Sequence, residues 1–365
     1  MTLDSAFGSI MPNRARSSGA GLVRHYVRAF LFLETWKLLA PKPFRTYPDL
    51  VALLTQRNMH VADPARAERK LAQLGYYRLS GYWYPAREFD KDPATNLTKI
   101  CPISGKPLRQ DMFANGADFD DAVALYQFDK HLRLLMLDAI ERLEVNLKTV
   151  IAHVVGYHHP MGYTDPKFIQ PKYAKNFTSR GKVRNKWNEW VARQQELLNR
   201  STEDSIEWHR RSGRPIPFWV AVEAWDFGAL SRYFEMLNGT YQNQVLARFG
   251  LTDARIFARW LQEINLLRNR CAHHTRVWNQ VSLNPLSALP TEPYFIALNL
   301  DGNALTRLYG LVSIVWFLLQ KIAPRSNWIK TVADLVDTKP GLPGCTFASL
   351  GLPTETGFPR AAFGI

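Results

Sequence analysis

Cysteine is scarce in this chain of 365 residues, which contains only Cys101, Cys271 and Cys345. The three lie far apart and form no C-x-x-C pair, so neither a disulfide framework nor a zinc site is predicted. Reduced thiols are typical of a cytosolic protein. No group of Asp, Glu and His has the spacing of a metal site, and we expect neither a metal nor any other cofactor.

Long apolar runs are also missing. The longest, Tyr309 to Leu319, is too short to span a bilayer and predicts a buried helix. Near the N-terminus, Val27 to Leu33 is interrupted by Arg28 and fits neither a signal peptide nor a membrane anchor. We therefore expect a cytoplasmic protein without a membrane partner.

Strand patterns are sparse, and helical spacing of apolar residues predicts an all-α protein. The strongest helix is Phe119 to His153, with Asp118 as its N-cap and acidic residues in its first turn. Further helices are predicted at Asp63 to Leu74, Trp187 to Leu198, Pro217 to Leu237, Ala254 to Trp278 and Leu305 to Ile322. Residues 90–118 and 160–186 are predicted to be loops, the second of them basic.

This pattern divides the chain into four parts. Residues 1–40 form a peripheral, flexible extension in which only Leu22 to Leu39 could be helical. Residues 41–118 form an N-terminal helical subdomain and a loop, and residues 119–325 form the helical core. Residues 326–365 are a tail packed on that core.

The charge is strongly unbalanced, since 46 Lys and Arg face 32 Asp and Glu, giving a formal net charge of +14. A protein this basic often binds a polyanion, and nucleic acid is the first partner to consider. The charge alone does not decide, because many basic proteins have no such partner.

One segment gathers polar residues on a core-like helix: Leu266-Leu-Arg-Asn-Arg-Cys-Ala-His-His-Thr-Arg-Val-Trp-Asn279. Cleavage of RNA by attack of its 2′-hydroxyl needs a proton-transfer group that titrates near neutrality, which is the ordinary range of histidine, and His273 is the candidate. It also needs a fixed cation for the charge that grows on phosphate oxygens, for which Arg268 is suited. Asn269 could orient the imidazole or donate to phosphate.

The spacing within this motif is awkward for a single regular helix. At about 100° per residue, Asn269, His273 and Arg276 share one face, whereas Arg268 lies about 140° from His273. Either the helix end is irregular, or the partner group comes from elsewhere. A lone arginine and histidine at this spacing are also common on ordinary protein surfaces.

Two further sets of residues are candidates for the same chemistry. Glu223 could hold Arg268 or His273, or it could pair a core arginine such as Arg133 or Arg142. The segment from Lys167 to Trp190 alternates basic and aromatic residues, so its cations could follow phosphates while its rings stack on bases. Its proposed RNA-binding residues are Lys175, Arg180, Lys182 and Arg184. The alternative is a solvated loop with ordinary anchoring aromatics.

The motif from Arg268 to Asn279 resembles the R-N-x-x-A-H motif of HEPN-domain proteins (higher eukaryotes and prokaryotes nucleotide-binding). In particular, it is similar to the Abi-like abortive-infection family, the AbiD/AbiF group of bacterial phage-defence proteins. Other stretches resemble the same family over roughly residues 42–355. They are Tyr76 to Tyr82, Leu125 to Arg133 with Ile140 to Glu144, Pro217 to Glu223, and Phe227 to Ser231.

This resemblance implies an all-helical HEPN-like bundle with an N-terminal helical subdomain. In catalytic relatives, two HEPN motifs meet to form a metal-independent ribonuclease site. Because one motif stands in this chain, the resemblance implies a homodimer. Arg268 and His273 fill its defining positions, with Asn269 at the polar position that follows the arginine. His274, Arg276 and Asn279 match the extended pattern as supporting residues.

The leading hypothesis is a metal-independent endoribonuclease of the abortive-infection type that cleaves RNA by 2′-hydroxyl attack. The alternative is a non-catalytic RNA- or nucleotide-binding module that acts by interaction. The sequence leaves open the RNA target, the trigger, and whether a partner restrains the activity.

Overall fold

In the computed structural model, which describes residues 42–282 and 284–365, fourteen α-helices are joined by loops and two short β-hairpins. The first helices are α1 (Tyr47–Gln56), α2 (Pro64–Leu74), α3 (Tyr76–Trp83), α4 (Phe119–Gly156), α5 (Pro171–Ala174), α6 (Lys186–Arg200) and α7 (Asp204–Ser212). The others are α8 (Phe218–Ala221), α9 (Phe227–Met236), α10 (Gly239–Ala247), α11 (Ala254–Ala272), α12 (Pro293–Leu298), α13 (Leu308–Ile322) and α14 (Trp328–Asp337). The predicted all-α class is confirmed. The extension predicted at residues 1–40, with its helix, lies outside the described residues.

The long helix α4 lies at the centre of the fold. Asp118 caps it by accepting hydrogen bonds from the backbone N–H groups of Asp120 (2.6 Å) and Asp121 (3.3 Å). It starts at Phe119, as the sequence predicts, and ends at Gly156, three residues beyond the predicted end at His153. Helices α2, α3, α8 to α11, α13 and α14 all contact it. Its buried apolar side chains each contribute about 1.5–3 kcal/mol relative to exposure, and Tyr47–Ile365 forms one compact unit around it.

Two of the predicted helices end earlier than the sequence suggests. The motif helix α11 stops at Ala272 and does not continue to Trp278. The helix predicted from Pro217 to Leu237 is interrupted after Ala221 by a 3₁₀ turn. A new helix, α9, then begins because Asp226 caps it, accepting from the N–H of Ala229 at 2.7 Å.

Two short antiparallel pairs of strands form in or beside the predicted loops. The first pairs β1 (Arg87–Phe89), just before the first loop, with β2 (Arg109–Phe113), which lies within it. The second pairs β3 (Asn176–Ser179) with β4 (Lys182–Asn185), and the second loop contains both strands. Arg180 and Gly181 connect β3 and β4 with φ angles of 50° and 72°, the backbone of a tight two-residue hairpin turn. The basic segment is therefore an ordered hairpin that leads into α6.

The predicted buried helix near the C-terminus is confirmed as α13, whose residues from Leu308 to Leu319 are all buried. It packs against both α4 and α11. In the part of the chain that the structure describes, no helix is both long and apolar enough to cross a membrane. The same residues contain no group of three or more His, Cys, Asp or Glu that could hold a metal ion.

Candidate functional site

The motif begins on α11 and ends in a tight turn. His273 is the C-cap, and His274 has a left-handed backbone with φ 57°. The N–H of Thr275 donates to the Arg270 carbonyl at 2.8 Å, and the N–H of His274 donates to the Cys271 carbonyl at 3.1 Å. These two bonds form a Schellman cap, in which glycine usually takes the left-handed position. The helix end is therefore irregular, one of the two alternatives that the angular spacing left open.

The motif side chains separate at this turn. Arg268 and Asn269 are half-buried and line a cleft, whereas His273 and His274 are exposed beyond it. Cys271 is buried, and burial raises the pKa of its thiol to about 12. Cys271 therefore stays a neutral packing residue at physiological pH.

Arg276 turns inward and packs against α3. Its guanidinium carbon lies 6.0 Å from the ring centre of Tyr82, and burial lowers its pKa. A Cβ atom at Gly81 would lie 2.8 Å from Arg276 Nη1, so a larger residue here would make the guanidinium shift. The expected common face of Asn269, His273 and Arg276 is wrong, because the helix ends before Arg276.

Asn279 lies further along the same turn and is half-buried. Its side-chain oxygen and Arg276 Nε are buried and have no hydrogen-bond partner among the described residues. Neither residue lines the cleft that holds Arg268. The structure therefore places Arg276 and Asn279, two of the supporting candidates, under the turn and outside the cleft that Arg268 lines.

A buried carboxylate fixes the start of the segment after the turn. Asp129 on α4 is fully buried, and its Oδ1 accepts from the backbone N–H groups of Val277 (3.0 Å) and Trp278 (2.8 Å). Its Oδ2 accepts from the Tyr82 hydroxyl at 2.7 Å and from Arg133. Burial raises the pKa of Asp129, and these donors oppose the shift. The network joins α3, α4 and the motif.

Helix α3 also contacts the turn directly. Arg78 Nη1 donates to the His274 carbonyl at 3.2 Å. The aromatic residues Tyr82 and Trp83 of the same helix are buried in the core. The segment from Tyr76 to Tyr82 therefore supports the motif at three points. Arg78 donates to the turn, the Tyr82 hydroxyl donates to Asp129, and Gly81 lies against Arg276.

The cleft beside the motif has a volume of about 640 Å³ and lies between α6, α9, α11 and the second hairpin. Five cationic side chains line it, and two carboxylates face them: Arg184, Lys186, Arg193, Arg232 and Arg268, with Glu189 and Asp226. Both carboxylates are already paired, Glu189 with Arg184 at 2.5 Å and Asp226 with Arg193 at 3.2 Å. The cleft is therefore electropositive.

The four predicted RNA-binding residues have different positions on the hairpin. Arg184 lines the cleft and lies directly opposite Phe177 in the strand register. Lys182 is on the same hairpin face, since residues two apart on a strand point the same way. Arg180 is at the turn, and Lys175 precedes β3. Lys175, Arg180 and Lys182 are exposed but do not line the cleft.

A protein-family model described as Abi-like protein matches residues 69–279, more than half of the 365 residues. The chain belongs to the Abi-like protein family. The match includes most of α2, all of α3 and α4, the cleft, and the motif as far as Asn279. No curated protein and no solved structure gives a significant match. Family membership indicates a role in abortive infection, the bacterial defence against phage.

Arg268 also faces a second pocket of this Abi-like fold, of about 330 Å³, which Glu144 and Lys148 line with it. Arg268 has no hydrogen bond or ion pair with any described residue, although Glu144 and Arg268 interact electrostatically. Burial raises the pKa of Glu144, and the nearby Lys148 and Arg268 oppose that shift. The guanidinium is therefore close to a carboxylate but not bound to it.

Glu223 pairs with none of the four residues that the sequence suggested as its partners. Its Oε2 lies 3.9 Å from Lys148 Nζ, and its backbone carbonyl accepts a hydrogen bond from that ammonium at 3.1 Å. Arg133 pairs with Asp129, and Arg142 pairs with Asp138 at 2.7 Å. Both arginines therefore form ion pairs within α4 and not with Glu223.

Sequence reasoning missed several cleft residues. Asn265 could have been found, because it is one helical turn before Asn269 and so shares its face. Arg193 and Arg232 lie on α6 and α9, and no sequence pattern connects them to the motif. Glu144 was noted only within the family resemblance, and its position beside Arg268 depends on how α4 packs against α11.

Proposed function

We propose that this chain is a metal-independent endoribonuclease that acts in phage defence by abortive infection. The observation that carries the proposal is that Arg268 and Asn269 open into the same electropositive cleft as Arg184 and Lys186. A cleft with paired carboxylates and an unpaired arginine suits a phosphodiester backbone, because guanidinium groups bind phosphate oxygens in a fork.

In this mechanism, His273 removes the proton of the RNA 2′-hydroxyl. The resulting oxygen attacks the adjacent phosphorus, and the bond to the 5′-oxygen breaks. Arg268 stabilises the charge on the non-bridging oxygens, and Asn269 orients the phosphate or the imidazole. The 5′-oxygen takes a proton from water as it leaves, and protonated His273 returns its proton to the solvent, so the products are a 2′,3′-cyclic phosphate and a 5′-hydroxyl.

We propose that the active species is a homodimer in which two motifs face each other. Apolar side chains are exposed on α11 and α4, the two helices that contact each other beside Arg268: Leu266 on α11 is 49% exposed, and Val145 on α4, which lines the second pocket, is 57% exposed. A two-fold interface would cover them and would bring the exposed His273 of one chain towards the cleft of the other. This arrangement eases the awkward angle between Arg268 and His273 within one helix.

One observation favours the non-catalytic alternative. His273 does not line the cleft that contains Arg268 and Asn269, so a single chain has the binding groups together without the proton-transfer group. An RNA- or nucleotide-binding module would need only the cleft. Cleavage that depends on Arg268 and His273 separates the two functions.

A matched pair of arginines on α11 tests the proposal. Arg268→Gln should lower the rate of RNA cleavage by about 10²–10³-fold, the typical loss when a transition-state donor is removed. Arg270→Gln is the control, because Arg270 is on the same helix but does not line the cleft. Equal activity of the two variants would overturn the role given to Arg268.

A further inference from the structure

Two asparagine side chains in the cleft have no partner. Asn265 and Asn269 are one turn apart on α11, and both line the cleft. Neither amide makes a side-chain hydrogen bond to any residue that the structure describes. Each amide offers a donor and an acceptor to a ligand.

A glycine on α9 leaves room for one of these amides. A Cβ atom at Gly228 would lie 3.4 Å from Asn265 Nδ2 and 3.3 Å from Asp226 Oδ1. The contact with Asn265 would be of ordinary van der Waals length, whereas the contact with Asp226 would be tighter than most real Cβ contacts. The Asn265 amide therefore lies within contact range of the start of α9, beside Gly228.

The hairpin contributes an aromatic ring to the same cleft. Phe177 on β3 is 36% exposed, and the Arg184 guanidinium carbon lies 5.9 Å from its ring centre. An exposed ring beside a cation is the usual platform on which an unpaired base stacks. The cleft thus combines cations, an aromatic ring and free amides.

We propose that the cleft binds one unpaired nucleotide of the RNA, next to the phosphate held by Arg268. Its base stacks on Phe177, and Asn265 hydrogen bonds to the base edge. An asparagine amide can pair with the N6 amino group and N7 of adenine, and the larger purine ring stacks more fully on Phe177 than uracil does. The inference rests on the proposed function and adds to it a preference for adenine over uracil next to the scissile phosphate.

The test measures binding of the full chain to fluorescein-labelled pentanucleotides by anisotropy, in EDTA. The probes are oligo(A) and oligo(U) with 2′-O-methyl groups, which block 2′-hydroxyl attack. The wild type should bind oligo(A) about 10-fold more tightly than oligo(U). Equal affinities would overturn the proposal.

Three variants and one control assign the preference to named side chains. Asn265→Ala should reduce the preference for oligo(A) to about twofold or less, and Gln262→Ala, on the same helix but outside the cleft, should leave it unchanged. Asn265→Asp should weaken the preference in the same way, because the carboxylate keeps the size of the amide but cannot donate a hydrogen bond, and this guards against a folding defect in Asn265→Ala. Phe177→Leu should weaken the binding of both probes by about fivefold or more. A preference retained in both Asn265→Ala and Asn265→Asp would contradict the base-edge contact.

The same samples distinguish this inference from the proposed function. Cleavage of unmodified RNA without any preference in binding would leave the ribonuclease standing and remove the adenine subsite. Preferential binding of oligo(A) without cleavage would support the subsite and remove the ribonuclease.

Discussion

His274 occupies a backbone position that most side chains avoid. Its φ of 57° places a histidine where a Schellman cap usually has glycine. A left-handed residue other than glycine costs free energy, although histidine is enriched there relative to bulkier residues. A strained residue beside candidate catalytic groups suggests that its side chain has a function.

His274→Gly should therefore stabilise the fold, because the strain that glycine relieves is larger than the conformational entropy that glycine adds to the unfolded chain. We expect the free energy of unfolding to rise by about 0.5–1 kcal/mol, measured by urea denaturation. Asn299→Gly is the control, since Asn299 ends α12 with φ 44°. If both variants are stabilised to a similar extent and only His274→Gly loses RNA cleavage, the imidazole has a role in the reaction. A loss of stability in His274→Gly would contradict the strain argument.

Individual residues of the site differ in how far the sequence predicts them. The chemistry of Arg268, Asn269 and His273 follows from residue type and spacing. The inward position of Arg276 could not be predicted, because it depends on a turn built around His274 in place of the usual glycine. The partner of Glu223 could not be predicted either, since Lys148 is brought to it by packing between α4 and the segment after α8.

At the scale of secondary structure elements, α4 positions the motif through a buried ion pair. Asp129 and Arg133 are spaced i, i+4, and their side chains are 0% and 5% exposed. Asp138 and Arg142 have the same spacing on the same helix, but their side chains are 46% and 41% exposed. The helix therefore contains its own matched control for burial.

Asp129→Asn should lower the free energy of unfolding by about 3–5 kcal/mol, because it leaves Arg133 buried without its counter-charge. Asp138→Asn should cost less than about 0.5 kcal/mol, as exposed helical pairs do. Urea denaturation of the two variants measures the difference. Equal costs would mean that the buried network does not hold the turn.

The second hairpin should carry most of the salt-dependent binding. Neutralising Lys175, Arg180, Lys182 and Arg184 to Gln should reduce the slope of log K against log salt by up to about 0.7 per lost phosphate contact on single-stranded RNA. Each substitution removes one cation that would release counterions from the RNA when it binds a phosphate. Binding isotherms at several salt concentrations measure the slope.

The control changes the same charge outside the cleft, at Lys91, Lys106, Arg325 and Lys330, which are all exposed. A similar change of slope in the control would mean that net charge acts without the hairpin. An unchanged slope in the hairpin variant would mean that this element is only solvated.

Elements with strong local signals were predicted well. The N-cap at Asp118 and the threefold and fourfold apolar spacing predicted α4, and the apolar run predicted α13. The end of α11 was missed because no glycine or proline marks it. The break before α9 was missed because the pattern around Asp226 is apolar on both sides, and only the cap shows the change of helix.

At the scale of the whole molecule, the proposal requires two chains. If each site combines Arg268 of one chain with His273 of the other, mixing inactive Arg268→Gln and His273→Ala subunits should restore part of the wild-type activity, because the mixed dimer has one site with both residues. Specific activity should also fall as the protein is diluted below the dimer dissociation constant, since monomers lack the second motif. Light scattering gives the oligomeric state in the same buffers. Constant specific activity from a species shown to be monomeric would contradict the composite site.

The all-α class was predictable from the spacing of apolar residues along the whole chain. The cleft was not, because it forms where α6, α9 and α11 meet the hairpin, and those elements are separated in sequence. From the sequence, the basic segment and the motif were separate candidates with no predicted contact between them. The structure shows that Arg184 of the first and Arg268 of the second line one cleft.

The most direct test of the central claim is cleavage of end-labelled RNA in EDTA by the purified wild type and by His273→Ala. We predict that the wild type cleaves and leaves 2′,3′-cyclic phosphate ends, because Arg268 supplies the positive charge at the phosphate. His273→Ala should be about 10²–10⁴-fold slower while its RNA affinity is retained. Cleavage that is abolished by EDTA and restored by Mg²⁺, or wild-type activity in His273→Ala, would contradict the account.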